Sequence, residues 1–230
     1  MDKKQLSKRL ATVAKYVPKG SRLLDVGSDH AYLPAYLATH HVIEFGIASE
    51  VAKGPFTNTQ NEIVSNGLSQ LLKPRLANGL QAISLSDHIN VITISGMGGA
   101  LIRDILEQGQ KKLSNHPLLI LQANVDSFIL RKWLMMHHYR LTHEAIIDDH
   151  HEIYEILVAE WTRRLVHYNY QELVFGPLLL KQKSSVFIKK WQDEFRHLQV
   201  VIKQMKRSSH PPIKRIRKIQ NRCELIKEVI

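Results

Sequence analysis

Asp25-Val26-Gly27-Ser28-Asp29 puts two carboxylates, a hydroxyl and a single glycine at the end of a short apolar run. Gly27 lets the chain turn and lets a ligand approach the backbone closely. A loop built to seat a pyrophosphate carries G-x-G-x-x-G, and two acids in that place would repel the ligand. One glycine between two acids suits instead a ligand with an ammonium and a sulfonium, the chemistry of S-adenosylmethionine. A turn capped by Asp or Ser is the plainer alternative. Glu50 lies 25 residues after Asp25, at the end of the next apolar run, where a carboxylate can hold both hydroxyls of a ribose or simply cap the next helix. Asn78-Gly79 offers a side-chain amide to an adenine edge, and Asn-Gly is equally a common turn. Gly96-Met97-Gly98-Gly99 exposes bare backbone where substrate and cofactor would have to meet, and also suits a tight turn. Gln122-Ala123-Asn124 supplies two amides that could read an adenine through its amino group and ring nitrogens, although Asn124 could equally cap a helix.

Each of these loops follows a short apolar run, and the runs alternate with helical patterns. Leu6, Leu10, Val13, Ala14 and Val17 share one helix face, which Pro18-Lys19-Gly20 ends. Strands are predicted at Arg22–Val26, within His41–Ser49, and at Arg75–Ala77, Val91–Ser95 and Leu118–Gln122. Helices are predicted at Ala31–Thr39, Phe56–Ser65, Leu101–Lys111 and from the fifth strand through Trp133. Two further strands, Tyr139–Ile147 and Glu152–Trp161, are joined by Asp148-Asp149-His150-His151. Such alternation implies a parallel sheet with helices on both faces, and apolar runs without polar alternation fit strands covered on both sides. The closing hairpin adds one antiparallel strand. The expected fold class is α/β, a Rossmann-like class I methyltransferase fold with a seven-stranded, mostly parallel sheet.

The tail is different. Phe187, Trp191, Phe195, Leu198, Ile202 and Met205 recur at helical spacing, Ser208-Ser209-His210-Pro211-Pro212 breaks the pattern, and Ile213, Ile216, Cys223, Ile226 and Ile230 resume it. The pattern predicts a C-terminal α-helical hairpin with coiled-coil character. Net charge is +11, and its position matters: residues 1–161 carry 16 Lys+Arg against 16 Asp+Glu, while residues 162–230 carry 16 against 5. A neutral body with a basic arm is expected, with domains at 1–161 and 162–230. Such an arm suits a polyanion, and a lysine-rich face that only aids solubility is the bland alternative.

One cysteine, Cys223, rules out an internal disulfide framework. The polar start, Met1-Asp2-Lys3-Lys4-Gln5, reads as no signal peptide, and no apolar run reaches membrane-spanning length, so a cytoplasmic location is expected. The adjacent pairs His40-His41, His137-His138 and His150-His151 diverge on regular backbone, so no metal site is expected. No G-x-S-x-G elbow marks a serine hydrolase.

The run from Asp25 to Pro34, DVGSDHAYLP, resembles the signature loop of the bacterial tRNA (adenine(22)-N1)-methyltransferase family, the TrmK family. Glu50 to Pro55, Ile94 to Gly99, Leu119 to Asn124 and Ile153 to Glu160 are similar to that family in the same order. The likeness spans about residues 1 to 161, and a basic coiled-coil C-terminal domain is also a family feature. One departure is Ala123, since the family usually reads Leu-Gln-Pro-Asn there; losing the proline frees φ in that loop. The resemblance implies transfer of a methyl group from S-adenosylmethionine to N1 of adenine 22 in tRNA. N1 of neutral adenine has an available lone pair, so no base is needed. Placement, and stabilisation of the positive charge that appears on the ring, are what the protein must supply. Asp29 is expected to face that charge, Gln122 and Asn124 to orient the base, and Tyr32 to stack on it. Asp25, Gly27, Ser28, Glu50, Asn78, Gly79, Gly96 and Met97 would bind the cofactor. N1 lies on the pairing edge, so a paired adenine must first be flipped out. Two alternatives compete: a methyltransferase of a small molecule or protein whose arm dimerises, and a non-catalytic RNA-binding protein on this fold. A nicotinamide oxidoreductase is disfavoured by the single-glycine loop.

Overall fold

In the computed structural model, residues 6–208 and 210–230 are described; the polar start Met1–Gln5, and Ser209 in the expected break, lie outside them. The chain forms two compact units, Met1–Tyr168 and Asn169–Ile230. The division falls seven residues after the expected boundary because Tyr168 belongs to the first unit: its hydroxyl accepts from the Leu141 amide at 2.9 Å, and its ring packs on the core.

The first unit alternates as its periodicity predicts. Its elements are α1 (Lys8–Ala14), β1 (Ser21–Val26), α2 (Tyr32–Thr39), β2 (Ile43–Glu50), α3 (Lys53–Ser65), β3 (Leu72–Leu76), β4 (Val91–Met97), α4 (Gly99–Gln108), β5 (Leu118–Ala123), α5 (Ser127–Met136), β6 (Tyr139–Asp149) and β7 (Glu152–Trp161). One seven-stranded sheet runs β3-β2-β1-β4-β5-β7-β6, parallel except for β7, which is antiparallel to both neighbours. The strand order reverses beside β1, between β2 and β4, where an open α/β sheet leaves a crevice at its carboxyl edge.

Successive strand residues point to opposite faces, so the register assigns each side chain a layer. Leu24, Ile47, Ile92, Ile94, Leu119, Leu121 and Leu157 face α4 and α5, meeting Ile102, Leu106, Leu130 and Leu134. Leu23, Ala48, Val91, Ile120 and Ile156 face the other way, meeting Val13 of α1, Leu33 and Leu37 of α2 and Ile63 of α3. The closing hairpin is held to α5 by a buried ion triad. Arg131 Nε donates to Glu144 Oε1 and its Nη2 to Glu155 Oε2, each at 2.7 Å.

β3 covers Leu72–Leu76 rather than Arg75–Ala77, and so contains Pro74. An edge strand tolerates a residue that cannot donate to a ladder, and β3 is an edge. Several histidines fill sharp corners: His41, His88, His116, His138, His150 and His151 all have positive φ.

The second unit is helical: α6 (Tyr170–Phe175), α7 (Leu179–Gln182), α8 (Ser185–Lys206) and α9 (Ile213–Lys227). Ser184 caps α8 by accepting from the Phe187 amide. Phe175 meets Phe187 and Trp191 edge to face, and Arg222 lies 5.2 Å over the Trp191 ring. Ile202, Ile216 and Cys223 bury a seam between α8 and α9, flanked by Phe195, Leu198, Met205 and Ile219. Lys203, Lys206, Arg207, Lys214, Arg215, Arg217 and Lys218 stay exposed. Among the described residues no helix is long and apolar enough to cross a membrane.

Candidate active site

The α1-facing layer of the sheet changes character at its carboxyl edge. Leu23 is followed two residues on by Asp25, Ala48 by Glu50, Val91 by Thr93 and then Ser95, and Ile120 by Gln122. The period of two therefore turns an apolar face into a polar row at the crevice.

Asp25, the last residue but one of β1, has only 4% of its surface exposed. Its carboxylate accepts from the Ser28 hydroxyl at 2.5 Å and from the Thr93 hydroxyl at 2.6 Å. Burial pushes its pKa up to about 6, against the pull of those two hydroxyls and with a further push from the charge of Glu50. The loop after it is bound to the end of β2: the Gly27 and Ser28 amides both donate to Ser49 O, and the Asp29 amide donates to Glu50 Oε1 at 2.7 Å. Burial also raises the Glu50 pKa, opposed by that amide. Gly27 has φ +66°, and Asp29, His30 and Ala31 continue in the left-handed region at 41°, 61° and 55°. Three such non-glycine residues in succession are held only because the Ser49 and Glu50 oxygens fix the loop's start and α2 its end. They turn the Asp29 carboxylate outward, where it is 87% exposed. Tyr32 opens α2, exposed, with its ring stacked 5.5 Å from His30.

A second network closes the ends of β4 and β5. The Gln122 amide is fully buried. Its Oε1 accepts from the Gly96 amide at 2.8 Å and from Arg9 Nη1 at 2.6 Å, and its Nε2 donates to Asn124 Oδ1 at 3.1 Å. Asn124 in turn donates to Gly96 O at 2.9 Å, and its own amide to Met97 O. Gln122 therefore shapes the glycine loop from beneath, and Asn124 is the amide at the surface. Met97 joins the two networks, since a Cβ on Gly27 would fall 2.4 Å from its Cε.

Asn78 and Gly79 stand apart from both networks. Asn78 is exposed, while Gly79, with φ +52°, is buried where a Cβ would meet Ile105 of α4 at 2.8 Å. Their loop is set by Arg75, which donates to Ala82 O and forks onto Asp87 at 2.5 and 2.7 Å. The Asp87 pKa is lowered chiefly by Arg75.

Sequence reasoning passed over Arg9, Thr93, Ser95 and Tyr154 as site residues. Thr93 and Ser95 were visible as hydroxyls at period two in an otherwise apolar strand. Arg9 sits beside the apolar stripe of its helix, three residues after Leu6 and four before Val13. Its guanidinium reaches Gln122 and lies 5.6 Å over the Tyr154 ring. The Ser95 hydroxyl is buried without a partner among the described residues.

Comparison with known proteins identifies a family. The family described as TrmK: tRNA (adenine(22)-N(1))-methyltransferase matches residues 23–228. A tRNA (adenine(22)-N(1))-methyltransferase of Bacillus subtilis is 39% identical, over all of this chain and 99% of that protein. The structure of Streptococcus pneumoniae Sp1610 in complex with S-adenosyl-L-methionine superposes with a TM-score of 0.89 and 40% identity, covering 98% of this chain and 99% of that one. TrmK of M. capricolum, bound to S-adenosyl-homocysteine, gives a TM-score of 0.86 and 28% identity, over 97% and 96% of the two chains. The acidic loop at the strand-order reversal, the glycine loop facing it and the full-length match lead to one assignment: the chain belongs to the TrmK family of tRNA (adenine(22)-N(1))-methyltransferases.

Proposed function

We propose that this protein moves a methyl group from S-adenosylmethionine to N1 of adenine 22 in tRNA. The observation that carries the reading is the polar row at the carboxyl edge, in which Asp25 and Glu50 face the glycine loop of β4 across Gly27 and Met97. The cofactor supplies an electrophilic methyl on a cationic sulfur. The residues present fit it: a cleft edged by two largely buried carboxylates favours a cation, Gly27 leaves clear the space that a Cβ would fill, and the orphaned Ser95 hydroxyl is left to bond a ligand.

Asp25, held by Ser28, sets a negative field near the ammonium and sulfonium. Glu50 uses one oxygen on the Asp29 amide and offers the other to the ribose. Asn78 and Gly79 border the adenine end, and Gly96 and Met97 form the floor beneath the reacting centres. No proton has to leave N1 before attack. The chain's work is therefore to hold the base in line and to face the charge that develops on it. Asp29, turned outward by its left-handed backbone, meets that charge, Tyr32 stacks on the flipped base, and Asn124, oriented by Gln122, bonds its edge. The unit Asn169–Ile230 acts as a basic coiled-coil arm that grips the tRNA backbone, and reaction on tRNA is a cytoplasmic task.

The test is incubation with labelled S-adenosylmethionine and unmodified tRNA, followed by nucleoside mass spectrometry. The expected product is 1-methyladenosine at position 22, lost in Asp29→Ala with the fold intact. Absence of methyl on any tRNA, while cofactor still binds, would overturn the reading in favour of another substrate.

A further inference from the structure

We propose that the Val125 side chain is a wedge that enters the tRNA base stack and helps to drive adenine 22 out of it; this rests on the reaction at N1 proposed above. A base that swings out of a stack leaves a gap, and an apolar side chain that fills the gap favours the open state. Such a group must be apolar, stiff, exposed and next to the atoms that receive the base. The carboxyl edge of the sheet carries several exposed apolar side chains: Tyr32, Val51, Leu76, Leu101 and Val125. Val51 and Leu76 lie at the ends of β2 and β3, on the side of the crevice where the cofactor's ribose and adenine lie. Leu101 and Val125 follow β4 and β5, on the side left for the substrate.

Val125 stands at the corner between β5 and α5. The residue before it, Asn124, donates its amide to Met97 O at 2.8 Å, and the Val125 carbonyl accepts from the Gly99 amide at 2.9 Å. Asp126 then turns the chain into α5 with φ 64°. A backbone pinned on both sides, carrying a β-branched side chain of restricted χ1, makes a rigid projection. Its Cγ2 lies 3.8 Å from the position a Cβ on Gly98 would take. The neighbour that faces it therefore has no side chain to cover it, and 60% of the residue is exposed. Leu101, three residues past Gly98 and so on the same face of the first turn of α4, is 53% exposed and broadens the apolar rim.

The position suits the reaction. Asn124, which bonds the edge of the flipped adenine, is the adjacent residue, and its side chain is fixed onto Gly96 O of the glycine loop at 2.9 Å. The gap that this base leaves behind opens beside Val125. The corner does not suit a phosphate: Asp126, exposed next to Val125, is acidic, and the valine itself carries no donor. An apolar tip with a carboxylate beside it is repelled from the RNA backbone and meets the faces of bases instead. Phosphate contacts fall to the basic residues of α8 and α9, which hold the tRNA while the stack opens.

The test uses the full chain and two tRNA transcripts, one native and one with an abasic site facing nucleotide 22, from which the adenine leaves more easily. On the native transcript Val125→Ala is expected to lower kcat about tenfold and to change KM by less than about twofold, because the arm supplies the binding. On the abasic transcript the loss in kcat should be less than about twofold. Val125→Ile keeps a stiff apolar tip and should retain about half or more of the native rate. With 2-aminopurine at position 22, fluorescence should rise when the native protein binds, as the base leaves the stack, and that rise should be largely absent with Val125→Ala. An equal loss of kcat on both transcripts would place the side chain against the flipped base and not in the stack, and would overturn the proposal. An unchanged rate on the native transcript would overturn it too. Unaltered affinity of Val125→Ala for S-adenosylhomocysteine shows that the variant is folded. A native protein that methylates neither transcript would instead refute the reaction proposed above, and this inference with it.

Discussion

The Asp29 amide and the Glu50 carboxylate are 2.7 Å apart, so the residue that ends β2 fixes the loop that follows β1. Glu50→Gln keeps an acceptor for that amide and removes the charge. Its loop should stay in place while affinity for S-adenosylhomocysteine falls by about tenfold or more. Glu50→Ala removes both, and should also raise amide hydrogen exchange at residues 29–31. Equal exchange in the two variants would show that the loop does not depend on this bond.

Two glycines of the site should respond differently to alanine. At Gly27 the added Cβ meets the Met97 methyl, the movable end of a flexible chain, so the cost is mainly that of positive φ, about 1–2 kcal/mol. At Gly99 the Cβ would fall 2.4 Å from Asp126 O, which is backbone. Gly99→Ala should cost more, about 3 kcal/mol, and displace the loop that carries Asn124. Urea unfolding of both variants ranks them, and the reverse order would contradict the packing described.

Asp25 links the site to pH. Its pKa is raised in the folded state to about 6 from an ordinary 3.8, so the native protein holds this proton more tightly than the unfolded chain does. The stability this contributes is full below about pH 4 and lost as pH rises through about 6. Asp25→Asn cannot titrate. Relative to the native protein it should therefore gain stability across that window, by roughly 3 kcal/mol at most, and keep a constant difference above pH 7. Cofactor affinity should move oppositely, falling in the native protein below about pH 6 as Asp25 takes up its proton, and staying flat in Asp25→Asn. Denaturant titrations and calorimetry at roughly pH 3.5, 6 and 7.5, which bracket the two pKa values, read both effects.

The Arg131 triad should behave as a unit. Arg131→Met leaves Glu144 and Glu155 buried without their cation and should cost about 3–5 kcal/mol. Replacing all three with apolar residues of similar size should recover most of that loss. A triple variant as unstable as the single one would mean that shape, and not charge, is what the hairpin needs.

On the arm, Lys203→Gln, Lys206→Gln and Arg207→Gln together remove three exposed charges at the end of α8. If they contact tRNA phosphates, the slope of log affinity against log salt should shrink by about two units or more, with cofactor affinity unchanged. An unaltered slope would place the tRNA contacts elsewhere.

Much of this architecture could be read from the sequence because strand runs ending in Gly, Asp or Asn mark the carboxyl edge by themselves. Asp25, Gly27 and Glu50 came together because consecutive parallel strands put consecutive loops side by side. What stayed hidden depended on partners distant in the chain. Gln122 looked like a group facing the substrate, and only the approach of Arg9 and Gly96 turns its amide inward. The sequence pattern marks the third strand at Arg75–Ala77, and only its position at the sheet edge lets it begin earlier and run through Pro74. Helices α6 and α7, at six and four residues, are too short for a period of 3.6 to show.

Pro74 has a consequence beyond the register of β3. An open sheet edge is a template on which another chain can add a strand, and newly made protein is most exposed to that at high concentration. A residue with no amide proton in the outermost strand deprives that template of a donor midway along a five-residue strand. The proline that only an edge strand tolerates thus protects the finished sheet against extension into aggregates at that border.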